Sequence, residues 1–183
     1  MRRIYPKNVR RIRATIGGKT YCYRSEGEFM WAQYLDWLKQ SGEVVEWLYE
    51  PSPFFFKNVQ FGSVQYKLDF LVIPTQGINN EFYQEFKRGY LDGPAVTKLR
   101  RMAEQYPDVI IELVIEKPRK KDAHRLYIVK KYVRRIANAD IIFKQLGKLI
   151  KSAKDWQMAE ELSAKSGICK FCGKKTDSNH DVC

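Results

Sequence analysis

A chain of 183 residues is long enough to bury one catalytic-sized core with small appendages. Its 33 Lys and Arg against 21 Asp and Glu leave a net charge of +12, which favours a polyanionic partner, nucleic acid or an acidic membrane surface. No apolar run approaches the ~20 residues of a membrane span, and the basic N-terminus lacks the apolar core of a secretion signal, so the expectation is an intracellular, cytoplasmic protein with no membrane partner.

Residues 1–20 hold Arg2, Arg3, Lys7, Arg10, Arg11, Arg13 and Lys19 and no acid. Such an arm neutralises phosphates without reading sequence, and its first 15 or so residues are expected to be disordered until a polyanion binds. Gly17-Gly18 alone carries little signal. Ser25 and Glu28 have the S-x-x-E spacing of a capping box. Trp31, Tyr34, Leu35 and Leu38 follow at helical spacing, and Gly42 closes the helix. Strands are expected over 44–50, 54–59 and 64–73, the last carrying Asp69. A loop from Pro74 to Asn80 leads to a strand over 81–87. Asp92-Gly93-Pro94 then starts a helix reaching about Tyr106. Val109–Ile115 reads as a buried central strand and Leu126–Val129 as one more. A second basic stretch, 117–135, is opposed only by Asp122, and helical spacing returns from Ile141 to about Lys165. There is no internal repeat. The order predicts an α/β fold, a mixed central sheet flanked by helices. The divisions are a basic arm (1–20), a core (21–135), a helical extension (136–166) and a small tail (167–183).

Asp69 lies between Leu68 and Phe70, a costly place for a charge unless something pairs with it. Glu85 and Lys87, two apart on one strand, share a face, while Phe82 and Phe86 take the other. If the two strands are neighbours, the three charged groups converge. Asp69 and Glu85 would then hold Mg2+ or Mn2+, and Lys87 would orient or help deprotonate a water attacking phosphorus. Glu28 lies on the helix face turned to the domain, but periodicity alone favours its capping role. By itself Asp…Glu-x-Lys is a weak motif, and a surface Glu-x-Lys pair beside a strand Asp is the plain alternative. Lys98, Arg100 and Arg101 fit DNA-backbone contacts and an ordinary solvated helix face equally well. Trp47, Tyr49, Phe54, Phe55 and Phe56 read as core rather than as a base-stacking platform. Cys22 reads as a small buried hydrophobe, and His124 receives no catalytic role.

In the tail, Cys169, Cys172, His180 and Cys183 offer a Cys3His ligand set for structural Zn2+, with the metal supplying folding energy that so short a segment lacks. A disordered cysteine-bearing tail is the alternative, and a disulfide through Cys22 is disfavoured inside a cell. Lys170, Lys174 and Lys175 would let a folded knuckle touch phosphate or a partner.

Tyr23-Arg24-Ser25-Glu26-Gly27-Glu28, Lys67-Leu68-Asp69-Phe70-Leu71-Val72 and Gln84-Glu85-Phe86-Lys87-Arg88-Gly89 together resemble the PD-(D/E)xK nuclease superfamily. The order within about residues 21–116 is similar to phage endonuclease I type Holliday-junction resolvases and to the end-cleaving nucleases of some transposons. The resemblance implies a restriction-endonuclease-like core, with Glu28, Asp69 and Glu85 as ligands of Mg2+ or its water and Lys87 as the catalytic lysine. It also implies branched DNA as substrate, a twofold homodimer and, if phage-encoded, the host cytoplasm. DNA contacts are expected from Arg10, Arg11, Arg13, Arg24, Arg88, Lys98, Arg100 and Arg101. Leu68 stands where the family usually has proline, and Phe86 where it has a small or β-branched residue. The superfamily does not fix the target. Cleavage of transposon ends or foreign DNA, or a non-catalytic nucleic-acid-binding protein with a zinc knuckle, are the competing readings.

Overall fold

The structure, a computed structural model, describes residues 11–75 and 80–147. The chain divides into two units, Met1–Ile142 and Phe143–Cys183, and the elements below belong to the first. Arg10 and the four tail residues expected to bind zinc lie outside the described residues.

Residues 1–10 of the expected basic arm lie outside the described residues; its remainder is ordered, with residues 12–23 forming a hairpin of β1 (Ile12–Ile16) and β2 (Lys19–Tyr23). Gly17 and Gly18 have φ of +57° and +77°. Positive φ at both central residues is the type I′ requirement, which glycine meets without a steric cost. Ile12, Ala14 and Ile16 turn inward, while Arg11 and Arg13 face solvent. Tyr21 and Tyr23 pack on Tyr49, which leaves Cys22 on the opposite side and exposed rather than buried.

Helix α1 (Glu26–Gln40) starts as its capping residue predicts, with the Glu28 amide donating to Ser25 Oγ at 3.2 Å. It ends at Ser41, where Gly42 turns left-handed at φ +80°. Trp31, Ala32 and Leu35 form its buried stripe. Next come β3 (Val44–Tyr49), a short β4 (Phe54–Phe55) and β5 (Gln65–Tyr66). The strand expected over 54–59 is thus cut to two residues, the one expected over 64–73 is broken at 67–69 so that Asp69 lies in the break rather than on a strand, and β4 and β5 pair only with each other. Phe56 enters the core, but Phe55 does not and is 60 % exposed. The hairpin is held to the body by α2 side chains. Arg101 donates to the carbonyls of Phe61 and Ser63, Gln105 brackets the Lys57 peptide, and the Tyr106 hydroxyl donates to Phe55.

β6 (Phe70–Pro74), β7 (Phe82–Arg88), α2 (Gly93–Gln105), β8 (Ile111–Glu116), α3 (Ala123–Val129) and β9 (Arg135–Asn138) complete the unit. Asp92 caps α2 through the Ala95 amide at 2.9 Å, with Pro94 in its first turn. The segment expected as a strand at 126–129 is α3. Leu126 and Val129 face the core while Tyr127 is 78 % exposed, a spacing of three that a four-residue apolar run cannot reveal.

The result is an α/β fold with a five-stranded mixed sheet in the order β3-β6-β7-β8-β9. The first three strands are antiparallel neighbours and the last three parallel ones. On the face toward α1, Trp47, Phe70, Val72 and Phe86 are buried, with Trp31 of α1 against Phe86. On the other, Leu68, Leu91, Leu99, Met102, Leu113, Ile115 and Val129 form the main cluster. Fully burying such a side chain contributes about 1.5–3 kcal/mol. β8 is less apolar than its position suggests, because Glu112 is completely buried. Arg134 and Arg135 pair with it at 2.5 and 2.7 Å, and Gln84 donates to it while accepting from the Trp31 indole. That network meets the demand a buried charge makes for partners. Among the described residues no helix is long and apolar enough to cross a membrane.

Candidate active site

β7 brings the central groups together. Period-two alternation sends Gln84 and Phe86 toward α1 and Glu85 and Lys87 to the opposite face. Asp69 stands in the link just before β6, next to the register pair Phe70↔Gln84. Its Oδ2 accepts from the Phe86 amide at 2.7 Å, which fixes it beside Glu85. Lys87 Nζ forms an ion pair with Glu85 Oε1. Asp69 and Glu85 are nearly inaccessible, at 6 % and 4 % exposure. The convergence expected of Asp69, Glu85 and Lys87 is therefore present.

Electrostatics follow from that burial. Asp69 is raised well above the usual carboxylate range, by desolvation first, then by Glu85 and Glu28, against the opposing pull of Lys87 and the Phe86 amide. Lys87 is raised too: burial works against its charge, but Glu85 and Asp69 outweigh it. In this state Lys87 is an ammonium with its proton firmly held. It is suited to holding or polarising an oxygen rather than to accepting a proton.

Glu28 approaches from α1. Its Oε2 accepts from the Arg24 amide at 3.0 Å and from the Tyr49 hydroxyl at 2.6 Å. The cap of α1 is supplied by Ser25, so the Glu28 carboxylate is turned to the domain and is only 8 % exposed. It lies near enough to raise Asp69. Yet among the described residues no three His, Cys, Asp or Glu side chains gather into a ready metal cage. Asp69 and Glu85 are adjacent, and Glu28 stands off from them.

Tyr66 escaped the sequence reading. It is buried on β5, and its hydroxyl approaches Glu85 without meeting it in a well-formed hydrogen bond. Burial, then Glu85 and Asp69, push this phenol far above its ordinary range. Only the Tyr-x-x-Asp proximity in sequence hinted at it. Lys98 lies over the Tyr66 ring, 5.2 Å from its centre.

The donor set suits a hard divalent cation. All three candidate ligands are carboxylates, Glu85 Oε2 is buried with no hydrogen-bond partner, and Asp69 is raised by crowding with like charge. A cation would relieve both.

The basic residues divide. Arg11 and Arg13 face solvent on β1. Arg24 pairs with Glu50, Arg88 with Glu116 at 3.3 Å, and Arg100 with Glu104 at 3.7 Å. Arg101 directs its guanidinium to the β4–β5 hairpin carbonyls. Comparison with family models, with curated proteins and with solved structures returns no match to the chain.

Proposed function

We propose that the chain is a divalent-cation-dependent nuclease with a PD-(D/E)xK-type core, hydrolysing phosphodiester bonds in branched DNA. The observation that carries the reading is the buried meeting of Glu85 and Lys87 on β7 with Asp69 in the link that enters the neighbouring β6. A second carboxylate buried beside a pair already formed leaves negative charge without compensation, a demand that a bound cation would meet. Asp69 and Glu85 would hold Mg2+ or Mn2+, with Glu28 joining directly or through water. When bound, such an ion stabilises charge on the phosphoryl oxygens and makes water more acidic.

The chain's own residues do the rest. The Phe86 amide and the Tyr49 hydroxyl orient Asp69 and Glu28. Lys87, protonated, positions the attacking water and offsets charge growing on the phosphate. The net charge of +12 supports a nucleic-acid substrate. The preference for branches, the homodimer and the zinc knuckle of residues 167–183 rest on the sequence resemblance and spacing.

The test is cleavage of a labelled four-way junction beside a linear duplex of the same sequence, with Mg2+ present or chelated. Paired nicks near the branch, lost in Asp69→Asn and Lys87→Ala, are expected. Binding without any cut in Mg2+ or Mn2+ would overturn the nuclease reading.

A further inference from the structure

A cavity of about 520 Å3, within the size range of small-ligand sites, opens against β3 and β6; Lys67, two residues before Asp69, lines it, but Glu28, Asp69 and Glu85 do not. Leu48, Leu71 and Tyr83 line it as one row across β3, β6 and β7, since Leu48 pairs with Leu71 and Leu71 with Tyr83. The row lies on the sheet face that carries Glu85. Tyr83 precedes Glu85 by two residues, a step of about 7 Å along a strand. Glu50, Pro51 and Lys67 also line it.

The lining is not that of a phosphate site. The Glu50 carboxylate would repel a phosphate, and it already engages Arg24 and, at 3.6 Å, Lys67. An aromatic surface, two leucines, a proline and an acceptor-only carboxylate suit a flat heteroaromatic ring bearing N–H donors. Lys67 at the rim suits the attached phosphodiester. The cavity is also tied to the site, because the Glu50 amide donates to the Asp69 carbonyl at 2.8 Å.

We infer that this cavity receives one unstacked nucleobase of the strand whose phosphate reaches Asp69 and Glu85, an inference that rests on the nuclease reading. Drawing a paired base out of a duplex costs a few kcal/mol, so a base already unpaired at a branch or strand end enters preferentially. Selectivity for branched over continuous duplex then originates in the cavity and not at the carboxylates.

The experiment uses the full chain carrying Asp69→Asn, chosen so that any DNA bound is not cut. A forked duplex is prepared in which each nucleotide near the branch is in turn made abasic, and its affinity is measured. One position is expected to lose about tenfold in affinity, the scale of a single base–aromatic contact. The same position should become indifferent when Tyr83→Leu or Leu71→Trp is added, with the salt dependence of binding unchanged. Leu71→Trp fills the cavity and keeps the test alive if Tyr83→Leu fails to fold. A flat scan on tightly bound DNA overturns the base site and leaves the nuclease reading standing. A position-dependent loss, with no cleavage by the native chain in Mg2+ or Mn2+, keeps a base-binding cavity but removes the nuclease and, with it, the placing of that strand's phosphate at Asp69 and Glu85. Absence of any DNA binding removes both.

Discussion

Asp69 carries a cost that the rest of the molecule must offset. Its pKa in the folded chain lies above its unfolded value, so between the two the native state binds the extra proton and stability falls as pH rises. Above both values the full penalty is present, and below about pH 4, where both states are protonated, it vanishes. Asp69→Asn, which can still accept from the Phe86 amide, should therefore raise Tm at neutral pH in chelator, with the gain shrinking as pH falls toward 4. Each kcal/mol recovered corresponds to about 2–4 °C for a chain of this size, readable by calorimetry. Mg2+ or Mn2+ should raise the Tm of the native chain and leave Asp69→Asn nearly unmoved. Lys87 gives the opposite sign. Lys87→Ala removes the cation that shares Glu85, so it should lower Tm in chelator and strengthen Mn2+ binding several-fold by titration calorimetry while abolishing cleavage. The shared face of Glu85 and Lys87 was legible from spacing alone because β7 enforces a period of two, whereas the place of Asp69 beside them depended on β6 and β7 being neighbours. Tyr66 was not, since its place beside Glu85 depends on a hairpin packing across the sheet.

At the scale of elements, Gly27 sets how closely α1 approaches the sheet. A Cβ there would stand 2.5 Å from the Phe86 ring and 2.7 Å from Glu116. Gly27→Ala should cost about 1–3 kcal/mol as an overpacked contact and draw Glu28 away from Asp69. Gly93 begins α2 with nothing within 4 Å of an added methyl, so Gly93→Ala should be neutral or mildly stabilising by thermal denaturation. Arg100 and Arg101 are neighbours with different tasks. Arg101→Ala should expose residues 57–63 to hydrogen exchange and proteolysis, because it frees the hairpin carbonyls. Arg100→Ala should leave that protection intact and, if Arg100 meets phosphate, lower the salt slope of DNA binding by about one. The helices were readable where their signals are local, at Ser25 and at Asp92-Gly93-Pro94. The β1–β2 hairpin was missed although its signals are local: Ile12, Ala14 and Ile16 alternate with Arg13 and Thr15 just before Gly17-Gly18, but the surplus of arginine reads as a solvated tail. β9 was missed as well: Arg135, Ile136, Ala137 and Asn138 form a short edge strand with little apolar character of its own.

Across the whole unit, the mixed α/β architecture followed from the order of periodic segments, whereas the pairing that makes Glu112 tolerable in the core did not. Glu112 is balanced by Arg134 and Arg135, more than 20 residues away, and no local pattern announces such a partnership. β7 lies at the middle of the sheet, antiparallel to β6 and parallel to β8, with α2 separating it from β8 in the chain. Contacts between segments so far apart in sequence close late and slowly during folding. Glu85 and Lys87 hang on that strand and Asp69 is held against it by the Phe86 amide, so a partly folded chain has no partial centre. After dilution from denaturant, the cation response at Asp69 and Glu85 should return with the same rate constant as the far-ultraviolet signal of the sheet, and the molecule would emerge from refolding either competent or inert.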